Sequence, residues 1–141
     1  MNERLDLESV TRRLHARGLR LSRLKKAVLA TLLDEPALSA EELGARLEIR
    51  ADLSPLYRCL ASLEGAEIIT HLYLGDDARR YVMQEPYGRH RDYLVCTNCA
   101  TVEELDCCLD EAVARLVVHR GFNVQSHQVI LRGLCSTCRE P

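Results

Sequence analysis

The chain has 141 residues, 47% apolar and 28% charged, which excludes a disordered tail and allows one domain or two small ones. Aromatic residues make up only 4%, with one Phe and no Trp, so any core is built from aliphatic side chains. The net charge of -2 lacks the basic excess that nucleic-acid-binding domains often carry, and no run approaches the roughly 18 apolar residues of a membrane span.

That average conceals an uneven chain. Arg4, Arg12, Arg13, Arg17, Arg20, Arg23, Lys25 and Lys26 are opposed only by Asp6 and Glu8, a local balance of +6 that leaves -8 for the remainder. Such a patch suits phosphates, or is equally a solvated helix face. Of the seven Cys, only Cys59 precedes residue 90; the other six lie between Cys96 and Cys138. The N-terminal MNERLDLESV has no signal-peptide core, so the expected location is cytoplasmic, where thiols stay reduced. Clustered Cys there point to metal or redox chemistry.

The elements follow in order. Glu8 to Ala16 reads as a short helix ending before Gly18. Ser22 caps the next, whose Leu24, Val28, Leu29 and Leu32 recur at helical spacing until Asp34-Glu35-Pro36 stops it. Ser39 opens Ala40 to Leu47, with Glu42 placed as in a capping box. Ser54-Pro55 opens a helix with Ser as N-cap and Pro at the first position; Leu56, Leu60 and Leu63 share its inner face, and Tyr57, Arg58 and Ser62 lie away from it. Glu67 to Leu74 and Arg79 to Met83 read as strands around Gly75-Asp76-Asp77. The last three of these helices and the hairpin make a winged helix-turn-helix. Tyr57 and Arg58 then meet base edges or phosphates in the major groove, and Arg79 and Arg80 can touch the flanking backbone. An exposed Tyr-Arg pair is, by itself, also ordinary surface. Glu85-Pro86-Tyr87-Gly88 marks a hinge, which sets domains of 1–85 and 86–141.

The second half carries two C-x-x-C pairs, Cys96/Cys99 and Cys135/Cys138. In a reduced compartment two pairs read as a closed, structural four-thiolate Zn2+ site, with a redox pair as the other reading. Tyr93 to Val95 and Val102 to Leu105 are expected strands, followed by a helix Asp110 to His119 and a strand Val124 to Arg132. Cys107 and Cys108 are adjacent and do not easily face one metal; Cys59 reads as a core thiol. His90 and Asp92 share a strand face, and with Glu111 and His127 they form a mixed N/O set for Zn2+, Fe2+ or Mn2+. An oxyanion hole, a phosphate loop and a nucleophile–base pair are all missing, so neither catalysis nor a small-molecule substrate is expected.

The chain resembles the ferric uptake regulator family of metal-responsive repressors. The resemblance is carried by Arg23-Leu24-Lys25, Leu38 to Leu43, Leu56 to Leu60 with Leu63-Glu64, His90 to Cys99, Gly121-Phe122, His127 and the Cys135/Cys138 pair. It implies an α+β protein: an N-terminal winged helix, then a small α/β dimerisation domain stapled by zinc. It implies a homodimer on double-stranded, near-palindromic operator DNA, with Ser54, Tyr57, Arg58, Arg20 and Arg23 at the interface. It also implies a regulatory divalent ion, Zn2+ or Fe2+, on His90, Asp92, Glu111 and His127. Zinc sensing is preferred because four ligands suit a tetrahedral ion; iron sensing, or a dimeric zinc protein that has lost hinge control, are the other readings. The last arises because Ala37, Met83-Gln84, Arg91 and Tyr93 stand where the family's hinge ligands fall, leaving His71 or Glu104 as possible replacements.

Overall fold

The first helix starts where a carboxylate can accept an amide. Asp6 takes the Ser9 N–H at 2.7 Å and Ser9 answers the Asp6 amide, so α1 runs Leu7–Ala16 with Val10 and Leu14 buried one turn apart. The computed structural model describes residues 5–85, 91–106, 110–124 and 127–140. The chain forms two units, Met1–Gln84 and Glu85–Pro141, with Glu85 in the second. The residues 86–88 of the expected hinge lie outside the described set, as do His90, Cys107 and Cys108.

In the first unit α1 ends before Gly18, whose φ of +74° is a left-handed conformation that glycine adopts without strain. Helix α2 (Arg23–Asp34) is capped by Ser22 and buries Val28, Leu29 and Leu32. Helix α3 (Ala40–Arg46) is capped by Ser39, which accepts from Glu42 N at 3.2 Å. The Glu42 carboxylate does not close the expected box; it accepts from Arg80 Nη1 at 2.8 Å. Helix α4 (Leu53–Gly65) begins two residues earlier than expected, with Asp52 in place of Ser54 as N-cap and no side-chain cap bond. Pro55 still falls in the first turn, where amides have no helical partner to lose. Leu56, Cys59, Leu60 and Leu63 form the buried face of α4.

Strands β1 (Ile69–Leu72) and β2 (Arg80–Met83) pair antiparallel, with Ile69 opposite Met83 and Leu72 opposite Arg80. Leu38 bridges to Tyr81 on the other side of β2. The strands are shorter than the 67–74 and 79–83 expected. Glu67 turns left-handed (φ 59°) to let Ile68 N reach Leu63 O at 3.0 Å, which delays the strand. The core joins residues of α1 to α4, β1 and β2, from Val10 and Leu14 to Ile69 and Tyr81.

In the second unit β3 (Arg91–Cys96) is central, antiparallel to β4 (Val102–Asp106) and parallel to β5 (Ile130–Gly133). Helix α5 (Asp110–Val117) runs into a 3-10 turn, Val118–Arg120, closed by Gly121 at φ 64°. The helix expected to 119 therefore tightens in its last turn. The strand expected from 124 begins only at Ile130. Among the described residues no helix is long and apolar enough to cross a membrane.

Leu60 is fully buried, and Leu60→Ala removes most of its side chain from a close-packed site. The expected loss is about 2–5 kcal/mol, read as a lower urea midpoint at unchanged slope.

Candidate metal centre and nucleic-acid interface

The parallel register of β3 and β5 builds the metal centre. It sets Cys96 opposite Gly133, so the turn after β3 and the turn after β5 leave the sheet side by side. Thr97 N bonds Gly133 O at 2.8 Å, locking the two exits together. Each C-x-x-C turn returns its second Cys toward the first: Ala100 N bonds Cys96 O at 3.0 Å, and Cys138 N bonds Cys135 O at 3.1 Å. The Sγ atoms of Cys96, Cys99, Cys135 and Cys138 all lie within 4.8 Å of one another. All four are free thiols, as is Cys59.

The polar surroundings favour sulfur anions. The backbone amides of Cys99 and Cys135 donate to Cys96 Sγ at 3.5 and 3.4 Å and hold its thiol down to about 6. The Thr101 hydroxyl, 3.0 Å from Cys99 Sγ, lowers that thiol too. Asn98 Nδ2 approaches Cys138 Sγ at 3.3 Å and lowers it, but neighbouring sulfurs and burial oppose this, and the thiol is pushed up to about 11. One negative sulfur is welcome there; four need a cation. Cys59 differs: burial in the core pushes its thiol up to about 11, as suits a packing residue.

The mixed N/O set is arranged otherwise. Asp92 is only 3% exposed and accepts the Val129 amide at 2.9 Å, two residues beyond His127. Glu111 is exposed on α5 and pairs with Arg115 at 3.6 Å. Among the described residues, the cysteine quartet is the one group of three or more metal-ligating side chains drawn together. Asp92, Glu111 and His127 are therefore not gathered into one such group, and His90 lies outside the described residues. His71 and Glu104, considered as replacement hinge ligands, have protein partners: His71 Nδ1 meets Glu64, and Glu104 meets Arg91.

On α4 the buried stripe leaves Ser54, Tyr57 and Arg58 exposed. Tyr57 donates its hydroxyl to Glu41 Oε1 at 3.2 Å, a bond that raises the Tyr57 phenol. Arg20, Arg23 and Lys26 are exposed too. The rest of the basic run is partly spent inside the unit. Arg13 binds the carbonyls of Gln84 and Glu67, Arg17 pairs with Glu67, and Arg12 pairs with Glu8. Arg80, expected at the DNA backbone, is mostly buried against Asp76, Glu42 and the Ala37 carbonyl; Arg79 remains exposed. The Tyr57–Glu41 and Arg80–Glu42 contacts were not evident in the sequence, because each partner sits on a different element.

Fold and site together define a winged-helix protein with a four-cysteine cluster that could hold a metal ion. A family model for the ferric uptake regulator family matches residues 16–132. A ferric uptake regulation protein of Bordetella parapertussis is 33% identical over 107 residues, 73% of this chain and 76% of that protein. A zinc uptake regulation protein of Mycobacterium tuberculosis is 30% identical over 130 residues, 88% of this chain and 98% of its own length. The solved structure of the Helicobacter pylori ferric uptake regulator, 25% identical, aligns with a TM-score of 0.74 over 100% of this chain and 99% of that one. The chain belongs to the ferric uptake regulator family. It is a metal-responsive, DNA-binding transcription regulator and not an enzyme.

Sulfur ligands must shed protons to bind a cation. Because the Cys138 thiol sits high, Zn2+ added to metal-stripped protein at pH 7 should release protons, and affinity should fall as pH drops. Proton release in weak buffer and chelator competition between pH 8 and 6 check this. Cys138→Ser should release fewer protons per ion.

Proposed function

We propose that the protein is a zinc-responsive repressor that binds double-stranded operator DNA as a homodimer in the cytoplasm. The observation that carries this reading is α4: a fully buried leucine stripe on one face and exposed Tyr57 and Arg58 on the other. In helix-turn-helix docking such a face enters the major groove, with Ser54, Arg20 and Arg23 at flanking phosphates. The winged-helix domain is the first unit, the expected 1–85 less Glu85, and the zinc-stapled dimerisation domain is the second. Structural Zn2+ is assigned to Cys96, Cys99, Cys135 and Cys138, a tetrahedral set with no open position. Exposed Leu116, Val118, Phe122, Leu131 and Leu134 of the second unit support a self-complementary apolar interface.

The regulatory ion is assigned to His90, Asp92, Glu111 and His127. A divalent ion there supplies a positive charge that carboxylates and neutral imidazoles can share. Asp92 already grips the backbone at Val129, so β3 and the approach to β5 are linked before any ligand joins. Glu111 must leave Arg115, and an exposed pair of that kind resists little. Its transfer would draw α5 to the sheet and select one dimer geometry, a differential affinity between two states. Four protein ligands favour zinc. The 33% identical ferric uptake regulation protein supports an iron-responsive second reading.

His90→Ala/His127→Ala, tested by gel shift with added Zn2+ or anaerobic Fe2+, is expected to lose metal-dependent DNA binding while retaining one zinc per chain. Unchanged metal-dependent binding would remove this ligand set. Stronger wild-type activation by Fe2+ than by Zn2+ selects the iron reading. Arg58→Ala should weaken operator binding about ten- to hundredfold with the metal response intact.

A further inference from the structure

The chain passes from the first unit to the second at the Gln84–Glu85 peptide. Gln84 is fixed on its own side: its amide bonds Ile68 O at 3.0 Å and its carbonyl takes Arg13 Nη1 at 3.0 Å. On the other side, the Glu85 carboxylate accepts from Arg91 Nε at 3.0 Å. The same guanidinium lies 3.6 Å from Glu104 Oε2 on β4. The Glu85 side chain is only 10% exposed and that of Arg91 25%, so this is not a loose surface pair. Tyr93 lies in the field of Glu104, Arg91, Glu85 and Asp92, and burial holds its phenol far above the ordinary value.

We propose that Arg91 is a built-in cation that binds Glu85 to β4 and so anchors the start of the second unit without a metal ion. The charge arithmetic supports it. Glu85 and Glu104 flank one guanidinium. Without Arg91 these two carboxylates would repel one another, the Glu85 one in a poorly hydrated place, and would take up protons or a divalent cation. A guanidinium keeps its proton at any physiological pH and satisfies two carboxylates through fixed donors. This anchor is therefore always on, whereas a metal anchor follows metal supply. The consequence rests on the proposed regulatory reading: metal sensing falls to the His90/Asp92/Glu111/His127 set, not to Glu85 and Glu104, which Arg91 already neutralises.

The test uses the full chain with His127→Ala as background, so that the regulatory set is already disabled. Adding Arg91→His replaces the fixed charge by a metal ligand. Titration with Mn2+ should show one more ion per chain, bound at least about tenfold more tightly than in the background. Further Glu104→Ala should abolish that gain. In the otherwise wild-type chain, amide exchange near Glu85 should be about tenfold faster in Arg91→Ala and intermediate in Arg91→Lys, which keeps the charge but not the fork. Exchange equal to wild type in Arg91→Ala, or Mn2+ uptake in the background itself that is lost with Glu104→Ala, overturns the proposal. A gel shift on the wild-type chain separates the two readings. Metal-independent DNA binding would defeat the regulatory reading and leave the Arg91 anchor untouched.

Discussion

The described residues of the second unit enclose very little interior. Among its described residues only Asp92, Tyr93 and Cys96 are buried, whereas the first unit buries a continuous set of leucines, isoleucines and valines. A body of that size gains too little from apolar burial to hold a unique shape unaided. On the proposed reading its order therefore depends on a cation held by the four sulfurs that converge within 4.8 Å at the ends of β3 and β5. Binding an ion to such a set couples metal affinity to folding. The exposed Leu116 and Phe122 fit the same account, since a unit with so small a core leaves apolar area for a partner to cover.

The first unit solves the opposite problem. Its core is ample, and its charged residues divide between holding elements together and facing outward. Arg13 joins α1 to the carbonyls of Glu67 and Gln84, and Arg80 joins β2 to Glu42 on α3. These arginines stabilise the domain and are not free to meet phosphates. What remains outward is a smaller set on α2, the segment before it, and α4. Only part of the +6 balance of the N-terminal stretch is thus open to solvent.

Legibility from sequence followed the range of the interactions. Caps at Ser22 and Ser39, the leucine spacing of α4 and the two C-x-x-C turns are local, and each could be read from a few residues. The start of α4 falls two residues earlier than expected because Pro55 tolerates more than one position in a first turn. Strand lengths were overestimated because Glu67 breaks β1 by a left-handed turn that its residue type does not announce. The second half's hydrophobic pattern is weak, which is why β5 was read as long. Arg91 shows the same limit: as a residue it signals only that a metal ligand is missing, and its two carboxylates come from positions six and thirteen residues away.

The bond from Tyr57 to Glu41 carries one more consequence. On the proposed reading, a carboxylate stands beside the tyrosine that faces DNA. Any duplex, whatever its sequence, repels that carboxylate and must compete for the hydroxyl. The loss is shared by all sites, whereas the compensation comes only where a base edge receives the tyrosine well. Glu41 therefore lowers attachment to random DNA more than to the operator, and since random sites outnumber operators enormously, that difference governs how much of the regulator is free to search.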